Sequence, residues 1–580
     1  MNARHCTVTI VAQDPSVERN GQVVTAEVKI PREDLEDGPM GCSLYVVDYD
    51  ASARRMYRPA SVRKGPPQLK KRDEILADPV FHAWNVYAIV IRTLVRFESA
   101  LGRRVRWGIR GHQLKAVPHA FEDANAFYSP ESEALLFGYV RGETGAENTY
   151  LCLSHDVVAH ETTHALLDGL RGSFISPSSA DQAAFHEAFA DIVALLSVFS
   201  LPEAVEYLID PDGDRDRVPK SALCVARLAE TDLFGLGENV ARVDALRRSV
   251  KIVPSPDLLQ EDTFLEVHRR GEILVGAVMR TFLHAWHDRM NRLFPGENVA
   301  IERGIVAEQG ADIADVLLTM CIRAIDYTPP IHITFDHFLS AMLTADREVR
   351  ADDSRYRLRS TLREQMAGFG ITGASRGKDG CWLSPGEAEG LAHNGVHFSS
   401  LQTDDTEMFR HVWNNRTKLH LNPHAFTQIK SVRPCVRVAP EDGFQVRETV
   451  VECTQYLKIP ASELPAYGLR ELKSLPSDTP IELRGGSTLV LDEYGDLKYE
   501  ISDKLPSPLA VDRTPEAERR RRCKRWNDRI RFMYCSGQFT GSGSAAVSLA
   551  VRHRDRNTDR DLDATAELDR RARSAMEEWR

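Results

Sequence analysis

The feature that most constrains this chain is a pair of histidines four residues apart, in the stretch DVVAHETTHALLDGL. Residues with this spacing lie on one face of a helix, so His160 and His164 can direct both imidazole rings at a single ion. Glu161 follows the first histidine directly and can reach a water molecule in an open coordination position. A catalytic zinc ion needs three protein ligands and such a water, so the histidine pair requires a third ligand elsewhere.

The stretch FHEAFADIVALL offers that third ligand, because Glu187 lies on a predicted helix 23 residues after His164. This separation leaves room for a turn and an antiparallel return. Asp191 lies four residues after Glu187 on the same helical face, and its carboxylate can hydrogen-bond the free ring nitrogen of a ligand histidine. HExxH alone also occurs by chance on ordinary helices, but HExxH followed by ExxxD favours a zinc centre.

Composition and charge are those of an ordinary globular protein. The chain has 580 residues, of which 42% are hydrophobic and 27% charged, and this is enough to bury a sizeable core. Its net charge of −10 gives no reason to expect a nucleic-acid binder. We read no signal peptide and no membrane span, and the ten cysteines form no CxxC pair, so we expect reduced thiols and a cytoplasmic location.

Changes of pattern along the chain predict an α+β fold with five regions. They are an N-terminal β subdomain (1–60), a catalytic region that becomes largely helical after residue 150 (75–350), a mixed connecting region (351–430), a small β module (431–510) and a charged, partly helical tail (511–580).

Apolar periodicity predicts the longer helices of the catalytic region. They are expected from residue 79 to a stop at Gly102, from 181 to 200, over GEILVGAVMRTFLHAWHDRMNRLF, and around 313–325 and 335–345. Within the β module, the stretch ELRGGSTLVLDEYG predicts a hairpin with turn glycines.

DVVAHETTH followed by HEAFAD resembles the zinc motif of the gluzincins, the thermolysin-like and fungalysin-like metallopeptidases. The resemblance covers about residues 75–350. It implies a thermolysin-like core, with a β-rich N-terminal lobe that carries the active-site helix and a helical C-terminal lobe. It also implies one zinc ion on His160, His164 and Glu187, with Glu161 as the general base that takes a proton from the attacking water.

NAFYSPESEALLFGYV resembles the edge strand that precedes the zinc helix in that family. There an asparagine–alanine pair hydrogen-bonds the substrate backbone, so Asn125 and Ala126 are expected to bind an extended peptide as an added strand. The pattern of the stretch itself predicts strand, turn and strand, with the turn at Ser129 and Pro130.

The family also has a later histidine that stabilises the oxyanion of the tetrahedral intermediate. EVHRRGEILVGAVM offers His268, which an apolar helix follows, and HNGVHFSS offers His397, which matches more closely over four letters. No such helix follows His397, and it comes after the helices that should close the domain. We therefore assign the role to His268 and keep His397 as the alternative.

Other features of the sequence depart from the family or have a plain structural interpretation. No tyrosine lies between the two ligand segments, where the family usually has a second oxyanion donor. Asp156 matches a family calcium ligand but lacks partner carboxylates. The acidic run DPDGDRD contains Asp210, Asp212, Asp214 and Asp216. It could bind calcium, but the preferred interpretation is a solvated turn. The pair His284 and His287 and the basic run 519–525 are interpreted as solvated helix surfaces.

The sequence therefore predicts a zinc-dependent endopeptidase of the cytoplasm that acts on peptides or proteins. Its accessory regions suggest a hypothesis of gating, in which an activating protein binds the β module or the tail. One alternative is an aminopeptidase on the same core. Such an enzyme needs an extra acidic residue to hold the substrate amine, and the sequence does not identify that residue. Another is a degenerate fold that acts as a binding or sensor module. The missing tyrosine favours this non-enzymatic interpretation, whereas the complete set of metal ligands argues against it.

Overall fold

The computed structural model describes residues 5–142, 147–229, 249–296, 298–385, 390–393, 395–397, 400–439, 443–510, 512, 514–536 and 538–539. Over these residues the chain mixes helices and strands, as the α+β prediction requires. Most of the charged tail predicted after residue 511 lies outside them.

Short strands and one long helix form the N-terminal part of the fold. The strands are β1 (His5–Val11), β2 (Glu18–Arg19), β3 (Gln22–Val23), β4 (Thr25–Pro31), β5 (Leu44–Val46), β6 (Tyr49–Asp50) and β7 (Arg55–Met56), and the helices are α1 (Arg72–Ala77) and α2 (Pro79–Leu101). β1 pairs antiparallel with β4, so that Val8 lies opposite Val28, and both are buried. Apolar and polar residues alternate along β4, as a strand with one buried face requires, and the predicted N-terminal β region thus contains strands.

Helix α2 ends where the sequence predicted. Gly102 adopts a left-handed conformation (φ 68°), which allows its backbone N–H to reach the carbonyl of Glu98 and close the helix. A Cβ atom at this position would lie 2.2 Å from the carbonyl oxygen of Val436, in the β module. Glycine is therefore needed here for the cap and for close approach of a distant segment.

A five-stranded mixed sheet precedes the helical part of the chain. It adds β8 (Leu114–Glu122), β9 (Ala126–Ser129), β10 (Ala134–Val140) and β11 (Thr149–Tyr150), in the order β11–β10–β8–β5, with β9 paired to β10. β9 and β10 run antiparallel, so the predicted strand, turn and strand are confirmed. Among the strands that the structure describes, β9 pairs only with β10, and its other edge faces away from the sheet.

Residues 150–350 fold mainly into helices, as predicted. These are α3 (His155–Leu170), α4 (Ala180–Phe199), α5 (Pro202–Ile209), α6 (Val225–Ala229), α7 (Val267–Leu293), α8 (Arg303–Ala324) and α9 (Phe335–Val349), with the strand pair β12 (Arg217–Pro219) and β13 (Ala300–Glu302). Helix α8 begins well before the expected start near Ile313, because Val306 and Ala307 already face the core on an otherwise polar stretch.

The C-terminal part contains a four-stranded antiparallel sheet. After α10 (Leu358–Gly368) and α11 (Asp405–Asn414) come β14 (Phe426–Val438), β15 (Gln445–Pro460), β16 (Pro480–Leu491), β17 (Leu497–Asp503) and α12 (Glu516–Cys535). The strands lie in sequence order, and α12 packs Trp526 and Ile530 into the module's own core. The sheet begins at Phe426, before the predicted boundary at 431.

The hairpin predicted in ELRGGSTLVLDEYG forms, but its turn lies later than the glycine pair. Gly485 and Gly486 lie inside β16, and the turn contains Gly495 with φ 85°. A Cβ atom at Gly486 would lie 2.6 Å from the carbonyl oxygen of Cys453 on the neighbouring strand. The glycine pair therefore permits close packing of backbones within the sheet and does not make the turn.

One hydrophobic core joins the N-terminal strands to the helices of the catalytic region. Val8 and Ile10 of β1 belong to the same buried cluster as Ile192 and Leu196 of α4. The first 60 residues therefore share a core with the region 75–350.

Helix α4 is, within the described part of the chain, the one helix long and apolar enough to cross a membrane by length and composition. In this fold 94% of its apolar window is buried. Its apolar character is thus explained by its position in the core, between α3 and α7.

Candidate metal centre

Helix α3 carries the HExxH pattern and is almost entirely enclosed. Fourteen of its 16 residues are buried, including both histidines and the glutamate. The hydroxyl groups of Thr162 and Thr163 donate to the carbonyl oxygens one turn earlier, at 2.6 and 2.7 Å, so these buried polar groups are satisfied within the helix. The helix can therefore lie in the core and still present polar side chains to its neighbour α4.

The structure brings the three predicted ligands together. His160, His164 and Glu187 are 3%, 0% and 2% exposed. The Nε2 atoms of the two histidines lie 3.5 and 3.6 Å from Oε2 of Glu187. The three ligand atoms all lie within 4.8 Å of one another, so this group could hold a metal ion.

Asp191 contacts the first histidine as the helical spacing predicted. Its Oδ1 lies 2.8 Å from Nδ1 of His160. A carboxylate accepts hydrogen bonds, so Nδ1 carries the proton and the lone pair of Nε2 points toward Glu187. The contact therefore fixes the tautomer that a metal ligand needs.

His186 is a residue of the centre that the sequence analysis missed. Its Nδ1 lies 2.8 Å from Nδ1 of His164, and the two rings stack with centroids 4.8 Å apart. For His164 to present its Nε2 lone pair, its Nδ1 must donate to His186. The only signal in the sequence was the position of His186 directly before Glu187, and a carboxylate is the more familiar partner of a ligand histidine.

Glu161 is oriented by a strand. Its side chain is fully buried, and Oε2 accepts a hydrogen bond of 3.0 Å from the backbone N–H of Tyr128 on β9. The hydroxyl group of Tyr128 donates in turn to the carbonyl oxygen of Gly108 at 2.8 Å. The backbone and the side chain of Tyr128 thus each make a hydrogen bond that keeps β9 next to Glu161.

Asn125 and Ala126 lie at the start of the same strand. They are 5% and 1% exposed. The carbonyl oxygen of Asn125 accepts from the N–H of Gly138 at 2.8 Å, while its side-chain Oδ1 is buried and accepts no hydrogen bond from the described residues. Both residues lie within three positions of Tyr128, so they belong to the strand segment whose backbone reaches Glu161.

His268 lies at the beginning of α7, where Glu266 caps its backbone N–H at 3.0 Å. The next turn of this helix packs on α4, because a Cβ atom at Gly271 would lie 3.5 Å from Ala184 and Ala188. This places the half-buried His268 on the side of α4 that carries Glu187.

His397 lies in a different environment. Its Nδ1 is 2.9 Å from the hydroxyl oxygen of Ser400, and its backbone N–H donates to Glu407 at 2.6 Å, both in the connecting region. The charge of His268 acts on Glu187, whereas these two contacts of His397 lie in the connecting region.

The charges of the centre act on Glu187. Burial alone would raise the pKa of its carboxyl group, but protonated ligand histidines, through the charge of His164 and hydrogen bonds from both rings, hold that pKa well below its usual value. The charge of His268 acts in the same direction. Glu187 is therefore a carboxylate, the form in which it can bind a cation.

The acidic run is mostly exposed, as the solvated-turn interpretation predicts, while its first member, Asp210, is buried and engaged by cationic and backbone groups. Oδ2 of Asp210 accepts hydrogen bonds of 3.0 Å from both Arg303 and the N–H of Arg215. Oδ1 of Asp156 accepts from the N–H of Val157 at 2.9 Å, in the first turn of α3. Neither aspartate belongs to a metal-holding group among the described side chains, so calcium gains no support.

No protein-family model matches the chain, and comparison with curated proteins also gives no match.

Proposed function

We propose that the chain is a zinc-dependent endopeptidase with a thermolysin-like, gluzincin-type core. The observation that carries this proposal is the convergence of two imidazole nitrogens and one carboxylate oxygen within 4.8 Å, with Glu161 on the same helix. Two histidines and a glutamate are a donor set typical of catalytic zinc with an open position, whereas closed structural sites are rich in cysteine.

Zinc bound by His160, His164 and Glu187 would polarise a substrate carbonyl and lower the pKa of a bound water toward about 7. The proton transfers are carried out by residues of the chain. Glu161 accepts a proton from the attacking water and transfers it to the departing amine. The hydrogen bond from Tyr128 to Oε2 holds this carboxylate in one orientation throughout.

The position of β9 at the edge of the sheet, where β10 is its one partner strand among the described residues, supports an extended peptide as the substrate. A peptide that adds there would exchange backbone hydrogen bonds with the strand, and the buried amide of Asn125 would join them. His268, at the start of α7, donates to the oxyanion that develops on the scissile carbonyl. Because the loop between α3 and α4 contains no tyrosine, we expect this histidine to be the main side-chain donor.

The test is Glu161→Gln, with cleavage of an unstructured protein and metal content measured on the same preparation. We expect unchanged zinc content and a loss of turnover of about 10²–10⁴-fold, because the amide cannot take the proton. Glu131→Gln, on the exposed turn between β9 and β10, is the matched control and should cleave like the unchanged chain. Full activity of Glu161→Gln would remove the assigned base.

A peptide with an acetylated N-terminus separates the alternatives. An endopeptidase cleaves it, whereas an aminopeptidase needs the free amine and leaves it intact. A chain that holds zinc and cleaves neither blocked nor free peptides would instead be a binding or sensor module.

A further inference from the structure

A second group of metal-ligating side chains lies outside the proposed catalytic centre. It consists of His82 on α2, His119 on β8 and Cys152 in the short helical turn Leu151–Leu153. These residues are 1%, 1% and 0% exposed, and their ligand atoms all lie within 4.8 Å of one another. They are far apart in the sequence, and no spacing pattern predicted them.

The outer ring nitrogens of the two histidines both face acceptors. Nε2 of His82 lies 2.8 Å from the carbonyl oxygen of Ile75. Nδ1 of His119 lies 2.8 Å from Oδ2 of Asp48, whose other oxygen accepts the backbone N–H of His119 at 3.2 Å. A carbonyl and a carboxylate cannot donate, so both outer nitrogens carry a proton.

The inner ring nitrogens then face each other. Nδ1 of His82 and Nε2 of His119 lie 2.8 Å apart. Two neutral imidazoles with their protons on the outer nitrogens would direct two lone pairs at one another over this distance. A cation between them removes the repulsion, and that cation is either a shared proton or a metal ion.

We propose that His82, His119 and Cys152 bind a second divalent metal ion, with zinc the expected one, as three protein ligands that leave the fourth position to a solvent molecule. The thiol distinguishes this from a proton-sharing pair, because sulfur and imidazole together select borderline-soft metals. Bond lengths of about 2.0–2.1 Å to nitrogen would place the two nitrogens about 3.3 Å apart, so the histidines need to separate by only about half an ångström. Binding displaces the thiol proton of Cys152 to solvent.

The surroundings are those of a metal site. Metal-binding histidines usually donate their outer N–H to a carboxylate or a carbonyl, and here Asp48 and Ile75 supply one of each. The ring of Tyr150 lies 4.8 Å from that of His82, and the ring of Tyr57 lies 4.7 Å from that of His119, so aromatic groups cover the cluster.

The position of the cluster indicates what the ion would do. Cys152 lies directly before α3, and its carbonyl oxygen accepts from the side-chain amide of Asn85 on α2 at 2.9 Å. An ion bound there joins α2, β8 and the entry of the HExxH helix. It therefore fixes the start of α3 without taking part in peptide hydrolysis, and its existence does not depend on the proposed function.

The experiment measures metal equivalents of the purified full chain by mass spectrometry and its absorption spectrum after cobalt replacement. We expect two equivalents per chain and a thiolate-to-cobalt charge-transfer band in the near ultraviolet. The predicted catalytic ligands include no sulfur, so this band reports the second site alone. Cys152→Ser should lose one equivalent and the band, while Cys321→Ser, which changes an equally buried cysteine on α8, should keep both. His160→Ala should lose one equivalent and keep the band.

Absence of the band from the cobalt-loaded unchanged chain would overturn the proposal, since the two histidines would then share a proton. This outcome stands even where Cys152→Ser fails to fold. A single equivalent with the band present would support the second site and contradict the proposed catalytic one, so the two failures are distinguishable.

Discussion

The two histidines of the proposed catalytic centre have partners of different chemistry. Nδ1 of His160 donates to the carboxylate of Asp191, whereas Nδ1 of His164 faces the imidazole of His186. A carboxylate raises the basicity of a ligand histidine more than a neutral ring does. Most of the support for metal affinity should therefore come through His160.

Asp191→Asn should weaken metal binding by about 10–100-fold, because the amide does not supply the negative charge behind His160. His186→Asn should have a smaller effect, since it replaces one neutral partner by another. Affinity is measured by competition with a chromogenic chelator. Asp257→Asn, at an exposed position, serves as the control, and equal affinities for Asp191→Asn and the unchanged chain would contradict the prediction.

The candidate metal centre could be predicted because the geometry of its ligands is local. Two residues four apart on a helix share a face whatever surrounds that helix, and the same rule placed Asp191 one turn from Glu187. The partners missed by the analysis are non-local. His82 and His119 meet although 37 residues separate them, and no periodicity connects a helix, a strand and a turn in this way.

Among the elements, β9 has two tasks in the proposed function. Its backbone orients Glu161 through the N–H of Tyr128, and its edge is the proposed substrate strand. The position of the strand depends on Gly138 on β10, where a Cβ atom would lie 2.2 Å from the carbonyl oxygen of Asp123 and 2.6 Å from that of Asn125. Both atoms belong to backbone that cannot rotate away.

Gly138→Ala should therefore displace the segment that leads into β9. We expect a loss of about 1–3 kcal/mol in the free energy of unfolding and a larger proportional loss of peptide cleavage, with metal content unchanged. Gly304→Ala is the control, because a Cβ atom there meets no other atom within 4 Å. Thermal melting and cleavage assays check both variants, and wild-type cleavage by Gly138→Ala would show that β9 tolerates the shift.

Element bounds were predictable where a local signal marked them. Helix α2 has a capping aspartate and a terminal glycine, and its predicted end is confirmed. The start of α8 was missed because only a narrow apolar stripe marks its first turns. The predicted hairpin did not distinguish Gly485 and Gly486 from the turn residue Gly495, because glycine serves turns and close backbone contacts alike, and only the neighbouring strand decides between them.

At the scale of the whole molecule, flanking regions hold both ends of α3. The N–H of His155 donates to the carbonyl oxygen of Gln13 at 2.7 Å, near the N-terminal strands. At the other end, the buried Arg171 pairs with Glu452 of the β module at 3.1 Å, and Arg433 donates to the carbonyl oxygen of Leu170 at 2.9 Å. The β module is thus an anchor of the HExxH helix.

Glu452→Ala should leave the charge of Arg171 buried without its carboxylate. We expect a destabilisation of about 3–5 kcal/mol, seen as a lower melting temperature, together with weaker metal retention. Glu482→Ala, which removes a partly exposed pair with Lys458, should change little. A module that acted only as a removable gate would give the opposite result, with higher cleavage activity in Glu452→Ala.

A buried histidine at the same junction should make the molecule sensitive to acid. Nε2 of His332 lies 2.6 Å from the carbonyl oxygen of Arg484 on β16. Burial, assisted by the charge of Arg529, lowers the pKa of His332 from 6.5 to about 3. The unfolded chain therefore binds a proton below pH 6.5 that the folded chain refuses, and stability falls as the pH drops from 6.5 toward 3.

Between pH 7.5 and 5, the free energy of unfolding should fall less for His332→Gln than for the unchanged chain. The difference between the two proteins should grow by up to about 1.4 kcal/mol per pH unit below 6.5. Melting temperatures at the two pH values provide the comparison. His112→Gln, at an exposed position, is the control. If acid lowered the melting temperature equally in all three proteins, the acid sensitivity would have to come from groups other than His332.

The burial of the proposed catalytic side chains has a consequence for how such an enzyme would behave in time. Glu161 is 0% exposed and His160 only 3%, so in the proposed mechanism this conformation would be a latent one that opens before a peptide binds. Turnover then begins with a pre-equilibrium between this latent form and a minor open form. With one molecule in a hundred open, the apparent dissociation constant for substrate rises about a hundredfold. Any ligand that binds the open form alone would act as an activator and need not touch the scissile bond.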